Sequence, residues 1–218
     1  MNMSTNDLIA NLSDDLPPVK RLPHPAKRLA MWVVVALPVS CLMGALVEQQ
    51  YLALALERLT EARSVLELVA ILATALTAGY AALCGTQPGR APNAWMLPII
   101  PFIAWLAMVG ESCFSLFQQI GPDQFSFAPH WTCYPSVVAT GAAPALIMVI
   151  LLKRGMLATP TITVGMAVLA ASALGAVGLR LFHPPDATPL LLMWQLIATL
   201  TLYGATSLGS VFRDHWAS

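Results

Sequence analysis

The chain has 218 residues, no net charge at neutral pH and a mean hydropathy of +0.70, with 57% hydrophobic but only 10% charged residues. An ordinary soluble domain is roughly one-quarter charged, so this deficit excludes that class and points to lipid, while zero net charge argues against a basic nucleic-acid surface. Crossing the hydrocarbon core takes about 20 consecutive apolar residues per helix, and the sequence contains about six such runs. The polar breaks between them leave no stretch for a soluble domain of roughly 50 residues. The expected fold class is an all-α integral membrane protein of six transmembrane helices with a short N-terminal amphipathic segment.

The N-terminal leader, residues 1–28, is the one long polar segment. It is no secretory signal: Asp7, Asp14 and Asp15 occupy the region where a signal peptide carries cations. Ser4 and Asp7 have capping-box spacing, and Leu8, Leu12 and Leu16 recur every fourth residue with Ile9 beside them, which predicts a short amphipathic helix ending at Pro17 and Pro18. Lys20, Arg21, Lys27 and Arg28, interleaved with Pro23 and Pro25, follow as an extended basic tether. The leader thus reads either as an acidic, leucine-bearing hook on a tether or as a frayed tail whose leucines rest on the lipid surface.

The predicted spans are Leu29 to Val47, Val65 to Leu83, Trp95 to Phe117, Pro135 to Leu152, Thr161 to Phe182 and Leu190 to Phe212. The connector containing Glu57, Arg58, Glu61 and Arg63 has the pattern of a short interfacial helix. One side of the predicted topology collects eight Lys and Arg residues, from the leader, Arg90, Lys153, Arg154 and Arg213; the other collects Arg58, Arg63 and Arg180. The positive-inside rule puts the first side, with both termini, in the cytoplasm. The expected organisation is a cytoplasmic leader over 1–28, a transmembrane domain over 29–212 and a cytoplasmic tail over 213–218. Trp32, Trp95, Trp131 and Trp194 are placed for an aromatic belt. Stripes of small residues, Ala70, Thr74, Ala78 and Ala82 in the second span, Ala167, Ala171 and Gly175 in the fifth, and Thr201, Ala205 and Gly209 in the sixth, predict close helix packing.

Ionisable residues inside spans are functional candidates because burying their charge is costly. Glu67, Glu111 and Arg180 gather at the predicted outer edge, where a local pair such as Glu111 with Arg180 is favoured over a proton relay. His130, Cys133 and His183, with Cys113 nearby, form a candidate outer-face sensing or metal set, and an oxidising compartment would permit a bond between Cys113 and Cys133. Cys41 and Cys84 read as packing residues. Soluble-enzyme motifs such as GxSxG, HExxH and the Walker loop are missing, and none of the four histidines lies within a predicted span to hold haem. No enzyme activity and no cofactor are expected; a small membrane transporter or channel is the rival class.

The leader TNDLIANLSDDLPPVKRLPHPAKR, the cysteine before the fourth span, and HPPDATP with Trp194 at the sixth resemble the negative regulator of sigma-F family (NrsF-like) of six-span membrane anti-sigma factors. The resemblance implies that the leader holds an extracytoplasmic-function sigma factor at the membrane until an envelope, redox or metal stress signal releases it. The lipid bilayer is the other partner, direct nucleic-acid binding is not expected, and homo-oligomerisation is left open. Leu8, Ile9, Leu12 and Leu16 would then enter a groove on the sigma factor, and Asp7, Asp14 and Asp15 would meet its basic surfaces. The family commonly pairs a cysteine before the fourth span with one before the sixth, in a segment like HCPEDSP. Cys133 matches the first; Pro184, beside His183, stands at the second, so either His183 or Cys113 stands in as the partner or this chain lacks that sensor.

Overall fold

The computed structural model describes residues 22–47, 52–87, 91–121, 133–155 and 159–182, with Thr5, Ile9, Gln49, Gly89, Ile197, Leu200, Thr201 and Gly204 as isolated positions. The described residues form helices α1 (Pro25–Val47), α2 (Leu52–Thr60), α3 (Ala62–Cys84), α4 (Ile99–Ile120), α5 (Cys133–Leu152) and α6 (Pro160–Phe182), with a 3₁₀ turn, Ala94–Met96, leading into α4; none of them is in a strand. Five of these helical segments are long and apolar enough to cross a membrane, and they coincide with the first five predicted spans. The connector helix is α2, as its pattern predicts. The sixth predicted span lies outside the described residues apart from four single helical positions.

Local sequence sets the helix ends. Pro25 opens α1 at the first helical position, where a missing amide costs nothing, and the Nδ1 of His24 accepts the Ala26 amide at 3.2 Å as an N-cap. Lys27 and Arg28, read from sequence as tether, therefore belong to the first turn of α1. Pro98 and Pro101 sit at the start of α4, again where amides have no helical acceptor. Gly121 ends that helix at φ 75°, a conformation glycine adopts freely, and its amide reaches the Phe117 carbonyl at 3.0 Å.

Helix α6 is the centre of the bundle: it packs against α1, α3 and α5 and has the largest share of buried positions, whereas α4 packs mainly on α3 and has the smallest. Small residues make this possible. A Cβ on Gly178 would strike the backbone of Ser40 and Cys41 in α1, and one on Gly175 would lie 2.8 Å from the Gly141 Cα in α5. Thr74, Ala78 and Ala82 of α3 and Ala167 and Ala171 of α6 are buried as the stripes predict.

Along α1, Arg28, Trp32, Ala36, Ser40 and Gly44 form one buried face at four-residue spacing. Pro144 lies inside α5 and supplies no amide for the Thr140 carbonyl one turn earlier. Ser40 fills that gap, its hydroxyl donating to the Thr140 carbonyl at 2.8 Å. Trp32 donates its indole N–H to the Pro144 carbonyl at 2.9 Å and is fully buried. Trp32 is thus an interior seam residue rather than part of an aromatic belt, because its one polar atom finds a carbonyl inside the bundle. Trp95 is exposed near a helix end as a belt residue would be; Trp131 and Trp194 lie outside the described residues. The outward surface is apolar, with Ile100 81% and Val34 72% exposed, while Ser40, Thr74 and Thr140 are inside. That distribution suits a lipid surround.

Gly178→Ala is expected to force α1 and α6 apart and destabilise the protein by about 1–3 kcal/mol. Gly165→Ala, in the same helix with nothing within 4 Å of the added methyl, should be neutral or gain up to about 1 kcal/mol. Thermal unfolding in detergent compares them; equal midpoints for the two variants would refute the seam.

Candidate functional site

Buried charged groups of the described residues gather at the two ends of the bundle. At the end where the leader enters, Arg28 is only 2% exposed. Its Nη1 donates to the Thr86 hydroxyl at 2.9 Å, its Nη2 donates to the Leu151 carbonyl, and Thr86 donates in turn to the Leu83 carbonyl at 2.7 Å. Leu151 is in the last turn of α5, and Leu83 in the last turn of α3. One guanidinium thus sits at two helix C-termini, where unsatisfied carbonyls concentrate negative potential. The Gln87 side chain adds a second tie, donating to the Pro23 carbonyl at 3.2 Å. Thr86 is packed so closely on Gly155 that a Cβ there would lie 2.5 Å from it.

At the opposite end, the Arg180 Nη2 of α6 and the Glu67 Oε2 of α3 form an ion pair at 2.7 Å, with side chains 12% and 4% exposed. Arg58 of α2 is buried beside them. Burial pushes the Arg58 guanidinium pKa below its ordinary value and the neighbouring Arg180 charge adds to that, while Glu67, Glu61 and Glu57 act in the opposite direction. The guanidinium stays charged throughout the physiological range, and the three carboxylates offset part of the cost of burying it. A second pair, Arg63 with Glu111 at 2.9 Å, is exposed and joins α3 to α4, with Arg63 also donating to the Ser112 hydroxyl at 3.2 Å. Glu111 therefore pairs with Arg63 and Arg180 with Glu67, not Glu111 with Arg180 as expected. The reason is helix order: α3 packs between α4 and α6 and intercepts both charges.

Of the candidate partner-binding residues, Ile9 is helical and exposed. Asp7, Leu8, Leu12, Asp14, Asp15 and Leu16 lie outside the described residues, as do His130 and His183. Cys133 is the first residue of α5, and Cys113 is a half-buried free thiol on α4 packed against the core. Cys113 is near enough to Arg180 to feel its charge, which sets it at the same end as the buried ion pair. Among the described residues no cluster of three or more His, Cys, Asp or Glu is placed to hold a metal. Cys84 packs with Ala81 and Ala94 as a small apolar residue, and Cys41 is a half-buried thiol of α1.

The residue that sequence reasoning missed is Arg28. Its signal was available: it stands one helical turn before Trp32, on the face continued by Ala36, Ser40 and Gly44, whereas counting it with Lys27 as a juxtamembrane cation hid that register.

Glu67→Gln leaves the Arg180 and Arg58 charges buried without their carboxylate and should cost about 3–5 kcal/mol. Arg63→Gln, which breaks the exposed pair, should leave the thermal midpoint in detergent close to that of the unaltered protein. A Glu67→Gln midpoint equally unchanged would contradict the placement of that carboxylate in a low-dielectric interior.

No curated protein and no solved structure matches this chain. A family model described as negative regulator of sigma F does match, over residues 12–213, which takes in all five long helices and the second half of the leader. The match agrees with the resemblance carried by the leader, by Cys133 and by HPPDATP, and it makes a sigma factor the regulated partner: the chain belongs to the family of negative regulators of sigma F.

Proposed function

We propose that this protein is a membrane-anchored anti-sigma factor that sequesters an extracytoplasmic-function sigma factor through its N-terminal leader and releases it on an envelope, redox or metal stress signal. The observation that carries the reading is the family match over residues 12–213, on a chain whose polar leader adjoins five apolar helices. The leader contacts the sigma factor through Leu8, Ile9, Leu12 and Leu16 in the helix-in-groove mode. Asp7, Asp14 and Asp15 engage basic surfaces that the sigma factor otherwise uses for DNA. The exposure of Ile9 favours this role.

The bundle resides in the bacterial inner membrane with both termini in the cytoplasm. Supporting that orientation, Lys27, Lys153 and Arg154 are exposed at the leader end, whereas at the other end Arg58 is buried and Arg180 is held by Glu67. Among the described residues three exposed cations stand at the leader end and one, Arg63, at the other, the direction the positive-inside rule expects of a cytoplasmic leader. Cys133, with His130, His183 or Cys113, forms the outer sensing set, and a signal there acts by shifting the bundle between states of different affinity for the sigma factor.

Intact protein in detergent should capture the sigma factor encoded beside it in a pull-down, and removal of residues 1–21 should abolish capture. That truncation spares Pro23 and Arg28, which belong to the bundle. Leu12→Asp should reduce capture by at least about tenfold, since it places a charge in an apolar groove; undiminished capture by the truncated protein would sink the proposal. For the outer face, Cys133→Ser should blunt induction of a sigma-dependent reporter by a thiol-reactive metal or oxidant, and a normal response would remove Cys133 from sensing.

A further inference from the structure

Arg28 poses an electrostatic problem that the anti-sigma role leaves unexplained. It is buried and charged, yet its acceptors among the described residues are a neutral hydroxyl and a backbone carbonyl. The described acidic residues, Glu57, Glu61, Glu67 and Glu111, all lie at or near the opposite end of the bundle. The described charged groups at the leader end are Lys27, Lys153 and Arg154, all cations. Burying an ion beside neutral dipoles is costly, and an apolar replacement of similar volume is often neutral or stabilising. Packing alone does not call for an arginine at this position.

What the guanidinium does is bind together three chain segments where the leader leaves the bundle. Arg28 lies in the first turn of α1, Thr86 just past the end of α3, and Leu151 in the last turn of α5. Gln87 holds the Pro23 carbonyl, so the two residues of the α3 C-terminal turn grip the leader root on both sides of the His24 cap. Helix α5 also joins the two ends of the molecule, since it begins at Cys133 and closes at the carbonyl that Arg28 holds. A tilt of the last two turns of α5 about Pro144, where Trp32 and Ser40 hold that helix to α1, changes the distance from Leu151 to Arg28 directly.

We propose that Arg28 and Gln87 form a latch that fixes the root of the leader, and that Arg28 is the positioning residue through which movement of α5 changes the protein's grip on the sigma factor. The inference rests on the leader being the sigma-binding segment. With the latch closed, the leader root from Pro23 to Arg28 is held in one arrangement, and the sigma factor meets a segment whose attachment point is already fixed. With the latch open, binding also carries the cost of ordering the root, about three- to tenfold in affinity for the loss of a few rotameric restraints.

The experiment uses the full chain in nanodiscs, the sigma factor encoded beside it, and a peptide of residues 1–24 for comparison. Two variants are compared with the unaltered protein: Arg28→Gln, which removes the buried charge, and Gln87→Ala, which leaves Arg28 in place. Hydrogen–deuterium exchange over residues 22–30 reports the latch whether or not the sigma factor binds, and binding isotherms report the coupling. The expected result is faster exchange over 22–30 in both variants, an unfolding midpoint for Arg28→Gln at or above that of the unaltered protein, and a sigma-factor affinity about three- to tenfold weaker, approaching that of the peptide. A residue with a merely structural role would move the midpoint and leave the affinity of the folded fraction unchanged. Unchanged exchange in both variants overturns the latch, and faster exchange with unchanged affinity overturns its coupling to the sigma factor. If neither the unaltered protein nor the peptide binds, the leader reading fails and the coupling with it, while the exchange data still report on the latch separately.

Discussion

The close approach of α6 to α1 and α5 is the contact on which the rest of the structure depends. Gly178 and Gly175 have no side chain to keep those helices apart, so backbone meets backbone at Ser40 and Gly141. Once α1 lies this near, Ser40 can reach the Thr140 carbonyl that Pro144 leaves without a helical donor, and Trp32 can reach the Pro144 carbonyl itself. A proline that would otherwise be a defect in α5 becomes the place where two helices are joined. In a surround without water such compensation is required, because an unsatisfied carbonyl has no other partner.

The same seam determines where the charges go. The α1 face that carries Trp32 and Ser40 also carries Arg28, so docking α1 against α5 brings a guanidinium to the ends of α3 and α5. At the far end of the bundle, α3 and α6 bring Glu67 to Arg180, and Arg58 from α2 is drawn into the same buried region. The two ends are chemically unlike. One satisfies a cation with helix dipoles and a hydroxyl, an arrangement that gives way at modest cost. The other pairs opposite charges in a buried site, where separation is expensive. A bundle firmly closed at one end and held by dipoles at the other is suited to moving where the leader emerges.

Membership of the negative regulator of sigma F family gives that asymmetry a use. Hold and release of a sigma factor, as proposed above, calls for two arrangements of similar free energy and a signal that distinguishes them. Under the proposed orientation, the firm end faces the envelope and carries Cys133 at the head of α5, and the leader end faces the cytoplasm. Under the same proposal, sequestration is carried by the hydrophobic contacts of the leader and by the packing that positions its root.

Much of the architecture was legible in the chain. Five spans fell where the apolar runs put them, α2 appeared in the connector, and the stripes of Ala167 and Ala171 and of Thr74, Ala78 and Ala82 became seams. Hydropathy is summed over a window and helix registers follow from residue spacing, so both are properties of local sequence. The pairing of Glu67 with Arg180 and of Glu111 with Arg63, the burial of Trp32, and the conversion of Arg28 from tether cation to interior staple were not local. Each depends on which helix faces which. By itself the sequence determined the all-helical class and five of the six expected spans, because composition and spacing suffice for these, and its motifs pointed to the family. Only the tertiary structure decided how the charges are shared and where the leader is anchored, because the glycine contacts of α6 set the helix neighbours and hence the partners each buried polar group can reach.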